Sequence, residues 1–253
     1  DGQPERLPAL INELLAASVE ILVVSGSDAT FAAVNAVSDR PLVFASSAGY
    51  DAAGPVNFAR PGRNLTGIVL QFDDVAQKWP ELLKQAAPRI RRAGIVHDRS
   101  PSNVVQVDIV ERGARSLGLA TVAVPVESGD ALLATLDRAK RGGADAFILV
   151  SSPIFTAAAR AVTLHVAELG IPAIYESRVM TRNGGLMSFG PSFEEVFHLL
   201  AESVDRAARG AKPGDLPIQR PTRFELAVNL GAARALGLEL PQVLLVRADE
   251  VIE

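Results

Sequence analysis

The chain has 253 residues, of which 48% are hydrophobic and 21% charged, and its formal net charge is −4. This composition is typical of a globular protein with one large domain or two lobes, and it excludes collagen-like, disulfide-framework and disordered chains. The 25 Lys and Arg residues do not outnumber the 29 Asp and Glu residues and form no long basic run, so nucleic acid is not expected as a partner. No apolar stretch approaches the roughly 20 residues of a spanning helix, and we expect no membrane insertion.

Helical periodicity alternates with short apolar runs from the start of the chain, which predicts parallel α/β structure. An apolar stripe over 7–15 predicts a helix, and the strand-like run ILVVS follows at 21–25. A second helix is predicted over 28–37, before the strand PLVFASS at 41–47. The first part of the chain is therefore expected to form βα units.

The same order of elements recurs further along. AGIVHDRSPSN at 93–103 opens a βα unit whose helix ends at Gly118, where glycine is the usual helix stop. A helix at 132–139, the strand AFILVSS, a helix at 156–169 and the strand IPAIYES then follow. Since both copies contain an apolar strand, a Ser-rich turn, a helix and a Pro-initiated strand, we predict two lobes of one topology.

The C-terminal part is predicted to contain a strand at 184–190, a helix stripe at 193–204, a Pro-rich linker at 211–222 and the strand FELAVNL. These elements assign 1–70 and 184–212 to lobe 1, and 71–183 and 213–253 to lobe 2. Three crossings between lobes predict a hinge. They are placed at 70–73, 182–185 and 217–222.

Candidate ligand contacts lie at the ends of the predicted strands, where parallel sheets bind their ligands beside helix N-termini. Serine predominates there, and it fits either helix capping or a ring of neutral donors around a small anionic or zwitterionic ligand. We place His97 and Glu176 among the contacts as residues at strand ends, and Gln71 at the first crossing. The serines are Ser25, Ser27, Ser46, Ser47, Ser100, Ser151 and Ser152.

Evidence for catalysis is scarce in the sequence. G-x-G-x-x-G after a strand, the P-loop, the G-x-S-x-G elbow and H-E-x-x-H are all missing, and without Cys there is no thiolate chemistry. We therefore expect no catalytic residues, no cofactor and no metal. The alternative from another class is an enzyme that acts on a small acid through His97, Asp98 or Glu176.

Several segments together resemble the ABC-transporter substrate-binding protein family associated with uptake of tryptophan and related amino acids. The segments are RPLVFASSAGYDAAG, ARPGRNLTGIVL, AGIVHDRSPSN, IPAIYESR, GGLMSFGPS, FELAVNLGAARALGLELP and LLVRADEVIE. The resemblance implies a type I periplasmic binding fold of two Rossmann-like lobes with three hinge strands. It also implies a periplasmic or other extracytoplasmic location, a small-molecule ligand and a membrane permease as partner. A sensor that docks on a receptor would share these features.

By position, the resemblance carries over three groups of ligand contacts. Ser25, Gly26 and Ser27 match the family's Ser-Gly-Thr-like turn. Ser100 and Asn103 fall in its Asn-Pro-rich turn, and Tyr175 matches its Pro-Ala-Ile-Tyr strand end.

This chain departs from the family pattern where relatives often carry acids. Gly49 stands in place of the Asp of a Gly-Asp-Pro turn, and Ser152 in place of that of a Pro-Asp-Pro turn. If the ligand is an amino acid, Asp51 or Glu176 must receive its ammonium group, whereas an organic or aromatic acid without an amine would need neither. The family also has an upstream strand and helix, so the first lobe is expected to lack its first βα unit.

Overall fold

A computed structural model describes residues 4–70 and 73–253 of the chain. The chain divides into two compact units, and we describe each by itself. Of the described residues, the smaller unit comprises 4–70 and Pro191–Arg223, and the larger comprises 73–190 and Phe224–Glu253. Every helix of the described residues is too short or too polar to cross a lipid bilayer.

The strands and helices follow the predicted alternation. The strands are β1 (Leu22–Ser25), β2 (Leu42–Ser46), β3 (Leu65–Val69), β4 (Arg92–His97), β5 (Ala120–Pro125), β6 (Ala146–Leu149), β7 (Ala173–Tyr175), β8 (Met187–Pro191), β9 (Phe224–Asn229) and β10 (Glu250–Ile252). The helices are α1 (Leu7–Ala16), α2 (Ser27–Ala36), α3 (Asp73–Ala76), α4 (Lys78–Ala86), α5 (Pro101–Ser116), α6 (Leu132–Arg141), α7 (Pro153–Ala157), α8 (Ala159–Glu168), α9 (Arg178–Arg182), α10 (Phe193–Ala208), α11 (Leu230–Ala235) and α12 (Gln242–Arg247).

One predicted helix is divided in the structure. The stripe predicted over 156–169 forms two helices, α7 and α8, which meet at Ala158, where φ is −101° and ψ is 19°. The first of them starts earlier than predicted because the Ser152 hydroxyl accepts a hydrogen bond from the Ile154 N–H and caps a helix with Pro153 at its first position.

The smaller unit contains a parallel sheet in the order β1-β2-β3. Strand β2 is buried along its length, because its alternate side chains enter two hydrophobic clusters. Leu42 and Phe44 pack in a cluster with Ile11 of α1, and Val43 packs in one with Leu200 of α10. A strand covered on both faces has an apolar run rather than an alternating pattern, which is what PLVFAS displays.

The larger unit contains a sheet in the order β10-β9-β8-β7-β6-β4-β5. Its paired registers are parallel. One core cluster joins Phe147 of β6 to Leu136 of α6 and Val162 of α8. On α4, Trp79 is fully buried, and its indole N–H donates to the Phe189 carbonyl oxygen over 2.7 Å. The carboxyl ends of β4, β6 and β7 therefore lie at one edge of a well-packed sheet.

The observed units differ from the predicted lobes in two segments. The prediction joined 184–212 to lobe 1, but residues 184–190 of this segment lie in the larger unit, where β8 pairs with β7 through Ile174 and Met187. The prediction also joined 213–253 to lobe 2, but residues 213–223 lie in the smaller unit, where the Gln219 N–H donates to Gly67 of β3 over 2.9 Å. Backbone pairing thus moves two of the three crossings.

Within the described residues, the chain changes units between Gly190 and Pro191 and between Arg223 and Phe224. The hinge positions predicted at 182–185 and 217–222 therefore lie inside one unit each. The hinge motion itself stays a prediction.

Candidate functional site

The first group of predicted contacts lies at the carboxyl ends of β1 and β2 in the smaller unit. The Gly26 N–H donates to the Ala45 carbonyl oxygen over 2.9 Å, which ties the β1–α2 turn to the neighbouring strand. Ser27 opens α2, and its hydroxyl oxygen lies 3.1 Å from that of Ser47. Two hydroxyls from different loops thus meet beside the N-terminus of a ten-residue helix, where free N–H groups favour an anion.

Helix capping does not explain these two serines. The N-cap of α2 is Gly26, with φ 93°, and no side chain caps the helix. Ser27 lies inside the helix, and its hydroxyl contacts that of Ser47. Because one hydroxyl proton serves this contact, the proton of the other serine is left to donate to a ligand. Ser25 is exposed at the end of β1.

Gly49 has a packing role in the loop that follows β2. Its φ is 87°, and a Cβ there would lie 2.6 Å from the Ser27 carbonyl oxygen and 2.8 Å from the Phe31 nitrogen. Only glycine avoids both the left-handed strain and this collision with α2. The absence of an acid at this position is therefore a requirement of this loop conformation.

The remaining residues of this loop have different surroundings. Ser46 is fully buried. Its hydroxyl donates to the Ala48 carbonyl oxygen and accepts from the Ala48 N–H, so it stabilises the turn. The Tyr50 ring stacks on Phe44 with centroids 5.5 Å apart. Asp51 is exposed, and a solvated carboxylate attracts an ammonium group weakly.

The second group of contacts surrounds Asp98 at the end of β4 in the larger unit. Its Oδ1 accepts hydrogen bonds from the Ser100 N–H over 2.9 Å and from Asn103 Nδ2 over 2.7 Å. Its Oδ2 accepts a bond from the Ser152 hydroxyl over 2.7 Å. One carboxylate thus organises the turn before α5 and connects it to the turn after β6.

Three predicted ligand contacts, Ser100, Asn103 and Ser152, are engaged in this network. Asn103 is 1% exposed and Ser152 is 2% exposed, and Ser152 also caps α7. His97 is buried, with Nδ1 2.6 Å from the Asp98 carbonyl oxygen. The Ser100 hydroxyl is 3.2 Å from that of Ser102.

Glu176 follows β7 directly and is 6% exposed. Its Oε1 accepts a hydrogen bond from the Ser151 hydroxyl over 3.0 Å. Burial raises the pKa of Glu176 to about 7, and the Ser151 bond opposes this effect. The two residues form the second point at which predicted contacts from different strand ends meet.

The neighbours of Glu176 on the chain serve other purposes. Tyr175 is 1% exposed and belongs to the hydrophobic core with Met180, and burial raises the pKa of its phenol. The Tyr175 ring therefore lies in the core rather than at the strand end. Arg178, an alternative partner for Glu176, instead places Nη1 3.0 Å from Glu225 Oε2.

The role of Asp98 was not anticipated among the contacts, although D-x-S is a recognisable turn sequence in which Asp accepts the N–H two residues on. Its bond to Ser152, 54 positions away, has no sequence signal. Gln71 lies outside the described residues. Within 4–70 and 73–253, no group of three or more His, Cys, Asp or Glu side chains is arranged to hold a metal ion.

Two α/β units with parallel sheets and polar strand ends define a type I periplasmic binding fold. The family described as ABC transporter substrate binding protein matches residues 1–252. The chain belongs to this family.

Relatives and solved structures agree with this assignment. The tyrosine-binding protein of Clostridioides difficile (strain R20291) is 25% identical over 219 residues, which are 82% of this chain and 60% of that protein. The chain thus spans less than two thirds of this curated relative. An ABC domain from Streptococcus pneumonia in complex with L-Trp has a TM-score of 0.87 at 22% identity, covering 98% of this chain and 84% of the other. A conserved domain protein from Vibrio cholerae has a TM-score of 0.86 at 20% identity, covering 98% and 83%.

Proposed function

We propose that this protein is the extracytoplasmic solute-binding component of an ABC importer and binds a small amino acid-type ligand through its carboxylate. The family membership and the ligands named for the tyrosine-binding relative and the L-Trp complex support an aromatic or apolar amino acid. The partner is a membrane permease, to which the protein delivers its ligand.

The observation that carries the proposal is the Ser27–Ser47 pair beside the N-terminus of α2. A carboxylate accepts hydrogen bonds from hydroxyls and from helix N–H groups, and each bond to a charged group contributes roughly 1.5–3 kcal/mol. Three or four such bonds supply much of the ~8 kcal/mol that micromolar affinity represents. The pair therefore suits the carboxylate end of the ligand without an arginine.

The engagement of Asp98 favours binding over the enzyme alternative. A general acid or base needs a free position for the proton that it transfers, whereas Asp98 accepts three hydrogen bonds from its own loops. His97 is occupied at Nδ1 by a backbone carbonyl oxygen. We infer that Asp98 holds these loops in place, and the turnover assay below tests the enzyme alternative at His97 and Glu176.

Isothermal titration calorimetry with L-tyrosine, L-tryptophan and L-leucine tests the proposal. We expect one site with micromolar or tighter affinity for at least one of them. Ser27→Ala with Ser47→Ala should weaken that affinity by roughly tenfold to a hundredfold, while Ser38→Ala, an exposed serine of the same unit, should not. The ligand recovered after incubation should be unchanged by mass spectrometry, and stoichiometric binding followed by turnover would favour the enzyme.

A further inference from the structure

Glu176 is a buried carboxyl group with few partners. It lies at the end of β7 at 6% exposure, and among the described residues the structure gives it one hydrogen-bond donor, the neutral hydroxyl of Ser151 at 3.0 Å. An ionised carboxylate in such surroundings is costly unless a cation pairs with it. The site is therefore short of positive charge.

The backbone that carries Glu176 is held firmly. A Cβ at Gly190 would come within 1.8 Å of the Glu176 carbonyl oxygen, so β8 passes against this backbone where only glycine fits. The next residue, Ser177, accepts a bond from the Val179 N–H over 3.3 Å and caps α9. The backbone at Glu176 is thus held on both sides, so its side chain extends from a preorganised position rather than from an adaptable loop.

The charged and titratable groups of the adjoining elements have partners of their own. On α9 and β9, Arg178 pairs with Glu225 at 3.0 Å. At the end of β4, Asp98 accepts three hydrogen bonds, and His97 contacts the Asp98 carbonyl oxygen. Ser151 after β6 and Gly190 of β8 are neutral. On α4, which also packs against β7, Lys84 donates to the Ile90 carbonyl oxygen, and Lys78 and Glu81 are exposed. The described residues therefore provide no dedicated counter-ion, so a cation that stabilises the ionised form of Glu176 would be supplied by the ligand.

We propose that Glu176 is the specificity-determining residue that receives the ammonium group of the ligand, and that a proton on Glu176 competes with this ligand. The inference rests on the proposed function and deepens it, since it selects amino acids over acids that lack the amine.

The competition between the proton and the ammonium group determines how the affinity for the ligand changes with pH. Burial raises the pKa of Glu176 to about 7 in the ligand-free protein, so a substantial fraction is protonated at neutral pH. A bound ammonium group stabilises the ionised form, so ligand binding releases a proton. Below pH 7 the Kd should rise by up to about tenfold per pH unit, and well above pH 7 it should level off.

The opposite arrangement predicts the opposite trend. If Glu176 stays protonated and donates a hydrogen bond to an oxygen of an amine-free acid, binding should tighten as the pH falls. Glu176→Gln, which keeps a donor and removes the charge, should then preserve binding. The two readings are thus separable by one substitution and one pH series.

The experiment is calorimetric titration of L-tryptophan, L-tyrosine and L-leucine, and of the deaminated analogues 3-(indol-3-yl)propionate, 3-(4-hydroxyphenyl)propionate and 4-methylpentanoate, between pH 5.5 and 8.5. At pH 8, Glu176→Gln should weaken the amino acid by about a hundredfold or more and remove the pH dependence. The deaminated acid should change less than about threefold. Glu239→Gln, an exposed glutamate of the same unit, is the control.

Ser151→Ala gives a second, milder variant if Glu176→Gln does not fold. Because the Ser151 bond stabilises the ionised carboxylate, its loss should move the midpoint of the pH profile upward for the amino acid. Amino acid binding that Glu176→Gln leaves unchanged, or that tightens in acid, would overturn the assignment while the proposed function stands. Failure of all six compounds to bind the wild-type protein would overturn the proposed function and the assignment together.

Discussion

The carboxylate of Asp98 and the hydroxyl of Ser152 are joined by a 2.7 Å hydrogen bond across 54 positions of the chain. The bond connects the turn after β4 with the turn after β6, and it is one of three that Asp98 accepts. Since the Ser152 hydroxyl also caps α7, the start of that helix depends on the same acid. Asp98 therefore fixes the loop that carries Ser151, the donor to Glu176.

Asp98→Asn should destabilise the protein. The amide oxygen can still accept from the Ser100 N–H and Asn103, but these bonds lose the charge of the carboxylate, and the Ser152 hydroxyl must turn to accept from the NH₂ group instead of donating. We expect a loss of roughly 2–4 kcal/mol in the free energy of unfolding, measured by urea denaturation. Asp130→Asn, an exposed residue of the same unit, should change it by less than about 0.5 kcal/mol. Equal effects of the two variants would contradict the role of Asp98.

Gly49→Ala should destabilise the smaller unit and weaken ligand binding. The added methyl group would lie 2.6 Å from the Ser27 carbonyl oxygen, at a φ of 87°, so the loop or the start of α2 must move. Gly118→Ala separates the two causes, because its φ is 64° but nothing lies within 4 Å of the added methyl group. The expected cost is roughly 1 kcal/mol for Gly118→Ala and at least about 2 kcal/mol for Gly49→Ala, by thermal melting. Identical costs would mean that the close approach to α2 is absent.

Glu176 should make the stability of the ligand-free protein depend on pH. Its pKa is raised from 4.5 to about 7 by burial, so the folded state holds a proton that the unfolded chain has released. This raised pKa contributes roughly 3 kcal/mol to the free energy of unfolding. The contribution is fully present below pH 4.5 and is lost as the pH rises to about 7. The difference in unfolding free energy between wild type and Glu176→Gln, measured from pH 4 to pH 8, should show this decline. A constant difference would place the Glu176 pKa at its ordinary value.

Ser27→Ala alone should affect affinity more than stability. The structure makes Gly26 the cap of α2 and gives Ser27 a bond to Ser47, so the substitution removes a partly buried hydroxyl pair but no cap. We expect the melting temperature to fall by no more than a few degrees while the affinity for the bound amino acid falls by roughly tenfold. A large stability loss with unchanged affinity would make Ser27 a structural residue only.

The sequence allowed much of the fold to be predicted because its signals are local. The buried run of β2 and the glycine after α5 mark their elements by composition alone. The boundaries of the units were harder, since the assignment of β8 depends on its pairing with β7 and that of Gln219 on its bond to Gly67. Both contacts join distant segments without a characteristic motif.

In the candidate site too, features with a local sequence signal could be predicted, and contacts between distant segments could not. The position of Ser27 and Glu176 at strand ends could be predicted from the alternation of strands and helices. Which serines retain a hydroxyl for a ligand could not, because the bonds of Ser152 to Asp98 and of Ser46 to Ala48 depend on how the loops close. The core position of Tyr175 likewise follows from the face of β7 on which it lies.

The most direct test of the central claim is mass spectrometry of the small molecules released when the purified protein is denatured. A tightly bound ligand dissociates slowly and therefore stays on the protein through purification. It can then be identified without choosing candidate compounds in advance. We expect an amino acid with an aromatic or apolar side chain, close to one per chain, that rebinds to the emptied protein. A rebinding organic acid without an amine, or a rebinding sugar, would contradict it.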